Sequence, residues 1–66
     1  MGITIASSRN KEEIEEQFAT LLEKAKKGFA NVEEKENEFT IVTEDLRIYF
    51  NIDKLGNEYH IYQIFS

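Results

Sequence analysis

The chain has 66 residues, 13 acidic against 8 basic side chains and a net charge of −5, with no cysteine and one histidine. One small domain spanning residues 1–66 is expected, able to bury only about 60 % of the surface its unfolded chain exposes. The composition excludes a disulfide scaffold and the usual Cys/His zinc site. It also disfavours direct contact with nucleic acid or an anionic membrane, because the charge repels phosphates. No apolar run approaches the roughly 20 residues of a membrane span. The opening MGITIAS has neither the basic region nor the apolar stretch of a signal peptide, and Ala6 breaks the myristoylation pattern. A cytoplasmic protein is the expectation. Abundant Ile, Lys, Asn, Phe and Tyr with no Pro fit an AT-rich bacterial or phage genome.

Gly2–Ala6 alternates Ile3 and Ile5 with Thr4, the pattern of a short strand. After the breakers SSRN, Asn10 is an N-cap, and Glu13 three residues on completes a capping-box spacing. Lys11–Lys27 reads as the helix: Ile14, Phe18, Leu21, Leu22 and Ala25 form one stripe. Glutamates fill its first turns and Lys24, Lys26 and Lys27 its last, matching the helix dipole. Gly28 is expected to stop the helix, although Phe29 and Val32 stay in phase with the stripe. ANVEEKEN, residues 30–37, is polar and reads as a loop or extended lead-in. Strands follow near Glu38–Thr43, Leu46–Ile52 and Glu58–Phe65. The fold class is therefore α+β: one helix packed on a small, mainly antiparallel sheet, in the order β-α-β-β-β.

Turn chemistry sets register, and register decides which side chains share a face. The loop at Glu44 and Asp45 pairs Thr43 with Leu46 and Ile41 with Ile48. Asp53–Gly56 (DKLG) suits a type I turn closing a three-residue loop with a glycine bulge, pairing Phe50 with His60 and Ile48 with Tyr62. One face then collects Phe39, Ile41, Leu46, Ile48, Phe50, Ile52, Tyr62 and Ile64 for the helix. The other holds Val42, Tyr49, Tyr59, Ile61 and Phe65 among Thr40, Arg47, Asn51 and Gln63. A one-residue slip exchanges Tyr59, Ile61 and Phe65 with His60, Tyr62 and Ile64. Either way the second face keeps apolar surface above the few hundred Å² usual for a monomer, since each aromatic covers about 150–250 Å².

No residue set points to catalysis, a metal or a cofactor. His60 reads as a strand residue beside Phe50, not a general base working with Glu58 or Asp53. Ser7, Ser8 and Ser66 suggest no triad. DKLGNE is too short and flanked by the wrong elements for a calcium loop, and the scattered glycines cradle no phosphate. Tyr49 and Tyr59 lack the positive groove of a base-stacking platform. The expected function is a non-enzymatic protein-interaction module, a small regulator or inhibitor whose partner is either a larger protein or a second copy of itself. Its partner surface is the face opposite the helix, at Val42, Tyr49, Tyr59, Ile61 and Phe65. The competing expectation is an acidic decoy, encoded by a phage or mobile element, that presents Glu12, Glu15, Glu16, Glu33, Glu34 and Glu36 to a nucleic-acid-binding enzyme.

Overall fold

The computed structural model describes residues 2–66. In chain order the elements are β1 (Gly2–Ser8), α1 (Lys11–Gly28), β2 (Val32–Lys35), β3 (Glu38–Val42), β4 (Arg47–Leu55) and β5 (Glu58–Phe65). The strands make one sheet in the order β1-β5-β4-β3-β2, with every neighbouring pair antiparallel. The α+β class and the strand–helix–strands order are those expected. The sheet has one strand more than expected, because part of the polar segment after the helix is β2.

Asn10 caps α1: its side-chain oxygen accepts from the Glu12 and Glu13 amides at 3.0 and 3.3 Å. Only half of a capping box forms. The Asn10 amide donates to Ser8 Oγ, while Glu13 accepts from Gln17. The helix ends at Gly28, but not through a left-handed glycine. Phe29 leaves in extended conformation (φ −133°, ψ 142°), its amide still donating to the Ala25 carbonyl.

β2 owes its shape to β3 and not to its own sequence. Val32 to Lys35 pair in register with Ile41 to Glu38. The two-residue link is closed by Asn37 at φ 61°, a conformation asparagine tolerates. Glu33, Glu34 and Lys35 give that edge charges that discourage further strand pairing.

The β3–β4 register is as expected, with Ile41 opposite Ile48 and the Thr43 amide donating to the Leu46 carbonyl. The β4–β5 register is not. Leu55 pairs with Glu58 across Gly56 and Asn57, which sets Phe50 opposite Gln63, Ile52 opposite Ile61 and Ile48 opposite Phe65. Gly56 has φ +62°, which glycine adopts without a Cβ penalty at the first position of a two-residue hairpin loop. Relative to the DKLG turn the pairing moves by three residues. Three is odd, so β5 turns over. Tyr59 and Ile61 go to the helix side; His60, Tyr62 and Ile64 go to the far side. Desolvation favours this outcome. The expected register would place His60 and Tyr62 under α1, whereas the observed one puts Ile61 at the centre of that face, 1 % exposed, and Tyr59 at its margin.

The core joins Ile14, Phe18 and Ala25 of α1 to Phe39, Ile41, Phe50 and Ile61 of the sheet. Phe39 is its centre. Its ring lies 5.3 Å from that of Phe18, tilted by 58°, and 4.6 Å from that of Phe50 in a stacked pair.

Candidate functional site

Because one helix covers one side of the sheet, the far face carries no other described element. Residues 29–37 do not fold across it, since β2 lies in the plane of the sheet beside β3. Alternation along β3, β4 and β5 brings Val42, Tyr49, Tyr62 and Ile64 to this face. Ile64 pairs with Tyr49 and Gly2, and Tyr62 with Asn51 and Thr4. Arg47 sits opposite Val42, and Thr40 opposite Tyr49. The result is an apolar, aromatic centre, half-buried by its own neighbours, inside a polar surround.

Of the five expected partner residues, Val42 and Tyr49 stand on this face. Tyr59, Ile61 and Phe65 do not. Ile61 is 1 % exposed beneath α1. Tyr59 packs against the core, with the Lys54 ammonium 5.5 Å from its ring centre. Phe65 is exposed, but on the helix side. The face lost three expected residues and gained Tyr62, Ile64 and His60 through the same turning of β5. The slip alternative contained that exchange, and the signal for it was Gly56 followed by Asn57.

Tyr49 is tied down by its hydroxyl, which donates to Glu38 Oε2 at 2.5 Å. That hydrogen bond to a carboxylate raises the Tyr49 pKa above its ordinary value of 10, and burial and the Glu38 charge add to the rise. The sign follows directly. A phenol with a raised pKa in the folded state contributes stability below pH 10 that is lost as pH rises through the folded value. An ultraviolet titration should therefore show a late tyrosinate phase above pH 10 that Tyr49→Phe removes and Glu38→Gln shifts downward. A Glu38→Gln profile identical to the original would show that this hydrogen bond does not exist in solution.

His60 does not sit beside Phe50 as expected. It stacks on Tyr62 at 5.7 Å on the opposite face. Asp53 is its cross-strand neighbour, but Asp53 Oδ1 accepts from the Lys54 amide instead. Among the described residues no three His, Asp or Glu side chains converge as a metal set.

The acidic residues are spread over several surfaces. Glu12 lies in the first turn of α1, and Glu16 lies on its outer flank beside Glu13 and Gln17. Glu15 lines a hollow with Asn37, Ile52 and Tyr59. Glu33 points to the far face. Glu34 points to the helix side and pairs with Lys26 at 2.6 Å. Glu36 is in the β2–β3 link.

A second apolar surface lies at one end of the helix side. The start of α1 sits by Asp53, Lys54 and Tyr59, while Lys26 reaches Glu34 on β2. The helix thus runs obliquely toward β2 and leaves the far ends of β4, β5 and β1 bare. Ile3, Phe29, Leu46 and Phe65 are 53, 43, 37 and 46 % exposed there. Beside them Leu21, Ala25, Phe29, Phe39, Ile41 and Phe50 line a cleft of about 180 Å³ whose one charged wall is Lys24. No helix among the described residues is long and apolar enough to cross a membrane. Comparison with protein-family models, curated proteins and solved structures finds no significant match to this chain, so the functional reading rests on these surfaces.

Proposed function

We propose that the protein is a non-enzymatic interaction module, a small cytoplasmic regulator or inhibitor that docks on a larger protein through the sheet face opposite α1. One observation carries this reading. The face is bare, yet its centre is Val42, Tyr49, Tyr62 and Ile64 where a solvated sheet would alternate to polar residues. An aromatic centre within a polar rim of Thr4, Thr40, Asn51 and Arg47 matches the anatomy of protein–protein interfaces. Tyrosine suits such a centre, since its ring packs while its hydroxyl finds a polar partner. The acidic-decoy reading has less support. It needs carboxylates on one surface, whereas Glu33 and Glu34 point to opposite sides and Glu34 is paired with Lys26.

The test is capture from lysate of the source cells by the tagged protein and by Tyr62→Glu, with mass spectrometry of what each retains. Proteins held by the original at least tenfold over Tyr62→Glu, with both chains equally folded by circular dichroism, support the docking face. Equal capture by the two overturns it. Capture abolished instead by reversing Glu12, Glu16 and Glu33 to Lys, and by moderate salt, moves the assignment to the decoy.

A further inference from the structure

The apolar corner on the helix side is not used by the docking face, and its makeup specifies an occupant. Three stretches meet there. The Val42 amide donates to the Asn31 carbonyl, which brings the chain leaving α1, with Phe29, against the end of β3. Thr43 donates to Leu46 across the loop of Glu44 and Asp45, fixing Leu46 next to it. Ile48 pairs with Phe65, and Gln63 with Ile3, which extends the same side to the edge. The patch is therefore continuous with the cleft floored by Ile41 and Phe50.

Its rim carries both signs of charge. Lys24 walls the cleft and Lys27 lies in the last turn of the helix, while Glu44 and Asp45 precede Leu46 in the loop on the other side. All four are exposed. A chain of net charge −5 repels its own copies over most of its surface, so a rim with paired opposite charges is where two copies can approach. A two-fold axis brings one copy's lysines to the other's acids, the self-complementarity an isologous contact requires.

We propose that this corner is the interface of a homodimer, with Phe29, Leu46, Phe65 and Ile3 at its centre. Lys24 and Lys27 of each copy then face Glu44 and Asp45 of the other. The four side chains expose roughly 360 Å² of apolar surface, taking about 200 Å² for a whole large side chain. With the cleft and the charged rim this approaches the lower range of stable interfaces, about 600–800 Å² per partner. Micromolar association is the expected scale. The two interfaces lie on opposite sides of the sheet, so dimer formation leaves Tyr49, Tyr62 and Ile64 free.

Sedimentation velocity from 10 to 300 µM tests it. The expected result is a concentration-dependent dimer that Phe65→Glu converts to monomer and Tyr62→Glu leaves intact. The combined change Lys24→Glu with Lys27→Glu should weaken the dimer at least tenfold. Adding Glu44→Lys and Asp45→Lys to that chain should restore it, a rescue that nonspecific damage does not produce. These four sites are exposed, so the charge swap remains decisive even if Phe65→Glu fails to fold. A monomer at 300 µM overturns the proposal. So does a dimer indifferent to the charge swap, or one dissolved by Tyr62→Glu. The docking face is scored separately, by capture with Tyr62→Glu.

Discussion

Phe39→Ala is expected to cost about 3–5 kcal/mol, because it removes a fully buried ring and leaves a cavity that Phe18 and Phe50 cannot both fill. Phe39 is 1 % exposed and contacts both of those rings, so the substitution breaks the junction between helix and sheet. A domain of this length holds only about 0.05–0.15 kcal/mol of stability per residue, roughly 3–10 kcal/mol in total. The variant should be largely unfolded at 25 °C, with no cooperative urea transition by circular dichroism. Phe65→Ala is the matched control. Phe65 is nearly half exposed in the single chain, so at concentrations below dimer formation the same chemical deletion should change the midpoint little. If Phe39→Ala kept the original midpoint, the core would have to lie elsewhere.

The parts of this fold legible in sequence are those where local and tertiary preferences agree. The α1 stripe of Ile14, Phe18 and Ala25 is buried as its spacing requires, with Asn10 capping the first turn. The β3–β4 register was readable because the loop at Glu44 and Asp45 leaves one pairing that keeps Phe39 and Ile41 with Ile48 and Phe50. β2 was not readable. Glu33, Glu34 and Lys35 carry no strand signal, and the strand exists because β3 offers an open ladder that satisfies its amides and carbonyls. The β4–β5 turn was ambiguous for a different reason. Asp53–Gly56 and Leu55–Glu58 are both credible turns, and β5 is apolar at odd and even positions alike, so hydrophobic patterning alone did not choose between them. The choice rests on what the helix-covered face tolerates: Ile61 fits under α1 without a polar atom, while His60 and Tyr62 stay out of that core and stack on each other on the far face. The candidate site inherits that ambiguity. Val42 and Tyr49 come from the readable hairpin and stand on the expected face, whereas Tyr59, Ile61 and Phe65, which do not, all belong to β5. The exposed corner was illegible because it depends on the oblique path of α1, which only the packed structure reveals.

Two adjacent residues of β5 separate the registers by experiment. Ile61 lies under the helix opposite Ile52 and Ala6, and Tyr62 lies on the far face opposite Asn51 and Thr4. Ile61→Glu places a carboxylate in a dry core with no cation beside it. The penalty is several kcal/mol whether the group stays charged or takes up a proton, enough to unfold so small a domain. Tyr62→Glu leaves its carboxylate in water and removes only part of an aromatic contact, so a cost of about 1 kcal/mol or less is expected. Thermal melts followed by circular dichroism should show Ile61→Glu unfolded at room temperature and Tyr62→Glu melting cooperatively within a few degrees of the original. With the hairpin closed at Asp53–Gly56 the ranking would invert, because Tyr62 would sit under α1 and Ile61 in solvent. A folded Ile61→Glu beside an unfolded Tyr62→Glu would return β5 to that register and place Tyr59, Ile61 and Phe65 on the docking face.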